Sequence, residues 1–183
     1  MKLSGEIAVH TDNLEIIRAN IRTIPDFPKK GINFFDICSL LKHPVAFRAC
    51  IEKFAEHYTH QNIDVLAGLE SRGFIFVSTL ALMMEKPFVL IRKPGKLPGN
   101  TVSISYEKEY GSDLIEMQEG AIKEGQKVLI IDDLVATAGS AQAAAQLIEK
   151  LGGIVHEVAC VIEITELRGR EKLSYPLYSL LKE

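Results

Sequence analysis

Residues 128–140 read VLIIDDLVATAGS and join apolar residues, two carboxylates and a run of small residues. The apolar residues predict a buried strand that ends at Asp132 and Asp133. The small residues that follow let backbone N–H groups approach an anion closely, and Thr137 and Ser140 add hydroxyl donors. Because a helix is predicted to begin next, its positive end faces the same place. The segment therefore predicts a cradle for a phosphate group.

The two carboxylates need partners of their own, because they would otherwise repel a phosphate. Asp132 and Asp133 could accept hydrogen bonds from sugar hydroxyls, or could bind Mg²⁺ through water together with substrate oxygens. The alternative is an acidic helix-capping loop without a ligand. The segment lacks the patterns GxxxxGK[ST] and GxGxxG, so it is neither a P-loop nor a dinucleotide fingerprint.

Strands and helices alternate from residue 62 onwards, which positions this segment at a sheet edge. Apolar strands are predicted over 65–68, 88–91, 128–131 and 154–162, and helices over 72–84 and 140–151. Fully apolar strands that alternate with helices indicate a parallel sheet covered on both faces. Ligands bind beyond the carboxyl ends of the strands in such sheets.

Two regions depart from this alternation. Near the N-terminus, helices are predicted over 12–22 and 44–58, separated by a loop that contains Pro25, Pro28 and Gly31. Residues 93–120 interrupt the α/β pattern with prolines, glycines and basic residues, and contain two predicted strands at 101–106 and 114–117. A long insertion of this kind is typical of a functional lid.

Composition limits the classes of function. A length of 183 residues predicts a single domain, and 21 basic against 24 acidic residues give a net charge of −3. This balance argues against a general nucleic-acid binder. We expect no membrane segment, because the longest apolar stretch is too short, and no signal peptide. Three scattered cysteines without metal spacing predict reduced thiols and a cytoplasmic location.

Six segments, taken in order, resemble one family. The segment at 128–140 resembles the 5-phosphoribosyl-1-diphosphate (PRPP) signature of type I phosphoribosyltransferases. The others resemble the adenine-using branch of that family: IPDFPKKGINFFDICSLL at 24–41, GLESRGF at 68–74, LIRKPGKLPG at 90–99, SYEKEYG at 105–111 and ELRGREKL at 166–173. The resemblance covers the chain from about residue 14 to residue 183.

The resemblance implies a fold and an assembly. The fold is α/β, with a central, mostly parallel twisted sheet and flanking helices. Residues 1–183 form one phosphoribosyltransferase domain, in which 1–43 are an N-terminal hood contributing to the base pocket. Residues 93–120 are a flexible β-hairpin lid. Relatives imply a homodimer, with no nucleic-acid or membrane partner.

The implied reaction converts adenine and PRPP to AMP and diphosphate, with Mg²⁺ as cofactor. The resemblance assigns the ribose hydroxyls to Asp132 and Asp133, with the metal held nearby through substrate and water rather than directly. It assigns the 5′-phosphate to Ala136, Thr137, Ala138, Gly139 and Ser140.

The remaining roles also follow from the resemblance. The diphosphate is assigned to Ser71, Arg72, Arg92, Lys93 and Lys96, and the adenine pocket to Ile32, Asn33 and Phe34, with Phe34 stacking on the base. The residues assigned to catalysis are Glu109, Arg72 and Tyr110, with Glu109 as acid/base partner of the purine.

Three positions bear on this assignment. Relatives usually have glycine at the position of Ala138. If that position needs a positive φ, phosphate affinity should fall. We expect that the position does not need a positive φ, since the neighbouring Gly139 remains. Phe35 replaces a polar residue of many relatives. The 6-oxopurine relatives have an aspartate where this chain has Ala136, which favours adenine. Transfer to another purine, or a PRPP-sensing regulator without catalysis, are the alternatives.

Overall fold

The computed structural model describes residues 12–107 and 111–183. The chain divides into two compact units, Met1–Cys50 and Ile51–Glu183, and the division falls within a helix. No helix of the described ranges is both long enough and apolar enough to cross a membrane.

The first unit contains short elements joined by loops. In order they are α1 (Asn13–Ala19), β1 (Arg22–Ile24), β2 (Phe34–Asp36), α2 (Ile37–Leu41) and the start of α3 (Pro44–Tyr58). The strands β1 and β2 pair antiparallel. Helix α1 is shorter than predicted because it ends before Asn20. The side-chain amide of Asn20 donates to the Ile16 carbonyl (2.8 Å), and the backbone of Asn20 is no longer helical. The residues that follow form β1 instead.

The second unit contains the predicted parallel sheet. After α3 come β3 (Val65–Leu69), α4 (Gly73–Met84), β4 (Phe88–Ile91), β5 (Thr101–Glu107), β6 (Ser112–Gln118), β7 (Lys127–Val135), α5 (Gly139–Lys150), β8 (Ile154–Glu163), α6 (Gly169–Lys172) and β9 (Leu177–Lys182). Five strands pair in parallel in the order β4-β3-β7-β8-β9, which confirms the fold class.

Strand β7 lies at the centre of this sheet and is longer than predicted. The prediction that it ends at Asp132 is wrong, because its pairing with β8 continues to Val135 opposite Glu163. A buried partner strand thus extends β7 beyond its apolar stretch. The two aspartates are therefore held by strand geometry, and their side chains alternate between opposite faces of the sheet.

The described part of the insertion is an antiparallel hairpin of β5 and β6, as predicted. Its apolar side chains, among them Ile104, Ile115 and Met117, pack into or against the core cluster that also contains the alanines of α5. Lys150 of α5 donates to the Ser103 carbonyl (3.2 Å). The paired strands of the insertion are therefore part of the packed unit.

Candidate functional site

Asp132 and Asp133 lie near the carboxyl end of β7, beside the first turn of α4. Asp133 is 4 % exposed, and its Oδ2 accepts a hydrogen bond from Arg72 Nε at 2.5 Å. Gly73 begins α4 so close to β7 that a Cβ there would lie 2.8 Å from the Ile131 carbonyl oxygen and 3.1 Å from Asp132 Oδ1. The glycine thus permits a helix N-terminus to adjoin the acidic pair.

Asp132 lies in an environment that disfavours its negative charge. Desolvation, and after it the Asp133 carboxylate, raise the pKa of Asp132 well above its ordinary value. Asp132 Oδ1 also accepts a hydrogen bond from the Asp133 backbone N–H (2.9 Å). A group that donates to Asp132, or a nearby cation, would favour its ionised form.

The phosphate loop, residues 136–140, connects β7 to α5. Ala138 is 5 % exposed and has φ +64 and ψ +7, in the left-handed region. The expectation that this position would not need a positive φ is therefore wrong. The conformation costs an alanine about 1 kcal/mol relative to the right-handed region. Its carbonyl accepts the Gln142 N–H (2.8 Å), so the turn leads directly into α5.

The loop between β3 and α4 carries Glu70, Ser71 and Arg72. Sequence analysis assigned Ser71 and Arg72 to the diphosphate and gave Glu70 no role. In the structure, the Glu70 carboxylate accepts from Arg92 Nε (3.1 Å) and from the Lys93 backbone N–H (2.9 Å). Glu70 therefore connects two segments predicted to bind the same diphosphate.

The charge of Glu70 is stabilised by these contacts. Desolvation favours the neutral acid, but the Lys93 backbone N–H and the Arg92 guanidinium outweigh it and lower the pKa of Glu70 below its ordinary value. Arg92 also donates to the Lys96 carbonyl (3.0 Å) and lies 5.7 Å from the ring centre of Phe74. Its guanidinium thus has a fixed orientation.

The basic segment after β4 is also anchored by Glu116 of β6. Glu116 is 6 % exposed, and its carboxylate accepts from the backbone N–H groups of Lys96 (3.3 Å) and Leu97 (3.4 Å) and from Thr101 Oγ1 (3.1 Å). Arg92 and Glu116 exchange two backbone hydrogen bonds. Sequence analysis missed Glu116; the only available signal was a carboxylate among the apolar residues of β6.

The predicted base-pocket residues belong to the first unit. Ile32 and Asn33 are exposed, and the Phe34 ring meets Phe27 edge-on with centroids 5.0 Å apart. These three residues are adjacent, but their role toward a purine stays a prediction. The predicted catalytic residues Glu109 and Tyr110 lie outside the described residues.

Comparison with known proteins places the chain in a family. The sequence profile of the phosphoribosyl transferase domain matches residues 37–183. Adenine phosphoribosyltransferase 4 of Arabidopsis thaliana is 49% identical over 179 residues, covering 97% of this chain and 98% of the relative. The chain belongs to the adenine phosphoribosyltransferase family.

Solved structures of this family have the same fold. The enzyme from Thermoanaerobacter pseudethanolicus superimposes with a TM-score of 0.90 at 48% identity, covering 93% of this chain and 99% of the other. The enzyme from Saccharomyces cerevisiae, solved with adenine and an imino-altritol bisphosphate, gives 0.88 at 43% identity, with 92% and 98% covered. The family and fold implied by the sequence motifs are thus confirmed.

Members of the phosphoribosyltransferase family generally use Mg²⁺ with PRPP, and the acidic pair on β7 bears on where such an ion would be held. Among residues 12–107 and 111–183, no group of three or more His, Cys, Asp or Glu side chains could hold a metal. Asp132 and Asp133 nevertheless supply two carboxylates at one strand end, one of them already paired with Arg72. This donor set fits an ion held mainly by substrate oxygens and water.

Proposed function

We propose that this chain transfers the 5-phosphoribosyl group of PRPP to adenine, giving AMP and diphosphate. The observation that carries the proposal is the contact of Arg72 with Asp133 at 2.5 Å. It brings a cation assigned to the diphosphate beside a carboxylate assigned to the ribose, on the strand that leads into the phosphate loop.

Each part of the site then acts on one part of PRPP. The backbone N–H groups and hydroxyls of residues 136–140 bind the 5′-phosphate, and Asp132 and Asp133 accept from the ribose hydroxyls. Arg72, Arg92, Lys93 and Lys96 stabilise the diphosphate as the bond to ribose C1 breaks and the diphosphate takes the bonding electron pair. Mg²⁺, when bound with PRPP, supplies further neutralisation of the diphosphate charge.

The purine supplies the new bond to C1. A ring nitrogen of adenine attacks C1 as positive charge develops on the ribose, and the proton of that nitrogen passes to Glu109. Ile32, Asn33 and Phe34 would hold the base. The methyl side chain of Ala136 cannot accept a proton or hydrogen bond from the N7 position of a 6-oxopurine, which supports adenine as substrate.

Turnover of adenine tests this function. Purified protein with PRPP, MgCl₂ and adenine should form AMP and diphosphate in equal amounts, measured by chromatography. Hypoxanthine and guanine, in parallel reactions, should give little nucleotide. Preferred turnover of a 6-oxopurine would contradict the base assignment, and folded protein that binds PRPP without forming AMP would instead be a PRPP-sensing regulator.

We further propose that two copies of the chain form a homodimer through α4. This helix exposes Ile75 (38 %) and Leu82 (81 %), which are seven residues apart and lie on one face, and Met83 (46 %) lies beside them. Phe88, at the start of β4, is 44 % exposed. A second copy of the same surface would cover these side chains, because a two-fold interface joins identical patches.

Replacing Leu82 with glutamate should disrupt this dimer, because it introduces a charge at the centre of an apolar interface. Light scattering after size exclusion should give twice 20.3 kDa for the wild type and 20.3 kDa for Leu82→Glu. Val45→Glu, at another exposed apolar residue (65 %), is the matched control and should remain dimeric. A monomeric wild type, or a dimeric Leu82→Glu, would contradict this interface.

A cytoplasmic location stays a prediction. It is supported by Cys38, Cys50 and Cys160, which are all free thiols in the structure. Burial raises the pKa of Cys50 to about 12, which favours the protonated thiol.

A further inference from the structure

Gly169, at the start of α6, lies directly against the phosphate loop. A Cβ added to Gly169 would lie 2.1 Å from the Ala136 carbonyl oxygen and 3.2 Å from the Ala138 backbone nitrogen. Gly169 does not have a positive φ, so glycine is needed there for space. No other residue type could occupy this position without displacing the loop backbone.

The segment that carries Gly169 is anchored by an ion pair between the buried carboxylate of Glu163 and the partly exposed guanidinium of Arg170. Glu163, at the end of β8, is 4 % exposed, and its carboxylate accepts from Arg170 Nε (2.8 Å) and from Ser179 Oγ (2.8 Å). Arg170 also donates to the Leu177 carbonyl. The residue next to Gly169 is therefore tied to both β8 and β9.

The same segment is joined to the strand that leads into the phosphate loop. Val135, the last residue of β7, pairs with Glu163, and its carbonyl accepts from the Ile164 N–H (2.9 Å). Residues 163–170 thus leave the sheet beside the start of the phosphate loop and contact that loop again at Gly169. Both ends of this segment are bonded to strands of the sheet.

The loop is packed from the other side as well. Ala138 belongs to the core cluster together with Ala141 and the later alanines of α5. Its left-handed backbone conformation is one that an alanine disfavours. A strained backbone conformation of this kind is kept only where the residues packed around it leave no alternative. Around Ala138 these are the core cluster on one side and Gly169 on the other.

We propose that Gly169, held by the Arg170–Glu163 ion pair, is a positioning residue that fixes the shape of the phosphate loop and so sets affinity for the 5′-phosphate. The proposal rests on the proposed function, since it assigns that loop a phosphate ligand. Gly169 does not touch the ligand itself. It acts through the Ala136 carbonyl and the Ala138 N–H, whose directions decide where the loop donors point.

Gly169→Ala is the direct test. The new methyl group should displace the loop and raise both KM for PRPP and Kd for ribose 5-phosphate about tenfold, since small displacements of a binding group have large effects. Binding of inorganic diphosphate, which involves other residues, should stay within about twofold. The Kd values for ribose 5-phosphate and for inorganic diphosphate are measured by calorimetry on the full chain.

Gly153→Ala is the matched control, because its Cβ would lie 2.7 Å from Ile148 Cγ2 and 2.8 Å from Ile122 Cγ2, away from the loop. It should lower Tm without changing either affinity. Adding Ala138→Gly to Gly169→Ala should restore part of the ribose 5-phosphate affinity, because glycine lets the displaced turn relax. A merely structural role of Gly169 would not show this rescue.

Arg170→Lys provides a second variant if Gly169→Ala does not fold. It keeps the charge but loses the bidentate contact with Glu163, and should weaken ribose 5-phosphate selectively, by less than Gly169→Ala. The inference is overturned if these variants bind ribose 5-phosphate as the wild type does, or if they lose both ligands equally. A folded wild type that binds neither ligand would overturn the proposed function itself.

Discussion

Replacing Asp133 with asparagine should lower kcat/KM for PRPP by about a hundredfold, which corresponds to about 2.7 kcal/mol. Asp133 is 4 % exposed and directly contacts Arg72. The asparagine removes a charge-assisted acceptor that we assign to the ribose hydroxyls, and it replaces the Asp133–Arg72 ion pair with a weaker hydrogen bond to a neutral amide. Initial rates at several PRPP and Mg²⁺ concentrations would show the loss mainly as a higher KM.

The control for Asp133→Asn is Glu56→Gln, which makes the same chemical change at the exposed ion pair with Lys53. Exposed pairs contribute little, so its kcat/KM should equal that of the wild type. An Asp133→Asn enzyme within about threefold of the wild type would contradict the assigned role. A defect that excess Mg²⁺ removes would assign Asp133 to metal handling rather than to the ribose hydroxyls.

The three carboxylates that face the predicted diphosphate cations suggest how the site is preorganised. Arg72 pairs with Asp133, Arg92 with Glu70, and Lys93 with Asp113 at 3.7 Å. Such pairs keep long side chains in fixed positions, so less conformational entropy is lost when an anion binds. They also offset part of the repulsion among the clustered cations.

The elements of the fold were predictable where the local pattern is decisive. The bounds predicted for α3 and β4 match the structure, because α3 has a clear helical period, β4 is a short continuous apolar run, and each has a proline at or next to its start. The true length of β7 was not predictable, because its last residues are held by pairing with β8. The sequence nearby contains two aspartates, which local propensity alone would place outside a strand.

The sequence was enough to predict which residue types form the site, but not which of them contact one another. The acidic pair and the small-residue turn follow from the order of residues along β7 and α5. The left-handed Ala138 and the closeness of Gly169 depend on tertiary packing between segments about thirty residues apart in sequence. The contacts of Glu116 with the backbone of Lys96 and Leu97 likewise join segments about twenty residues apart. No period or motif in one sequence specifies such contacts, because they arise only when the sheet brings the segments together.

Glu109→Ala should lower kcat by about a hundredfold while KM for PRPP and Kd for ribose 5-phosphate stay within about twofold. A positioned acid/base group contributes about 10²–10⁴-fold to a rate and acts only when the proton moves. The phosphate loop and the Arg72–Asp133 pair, to which we assign the binding of PRPP, do not include Glu109. Single-turnover formation of AMP from bound PRPP and adenine isolates this chemical step from product release.

Glu107→Ala, two residues away in the same insertion, is the control for the charge and length of the side chain and should keep the wild-type kcat. Glu109→Gln should resemble Glu109→Ala, because the amide cannot take up the purine proton even though it has nearly the same shape. If Glu109→Gln instead retains full kcat, the carboxylate only shapes the insertion. A group other than Glu109 must then accept the proton.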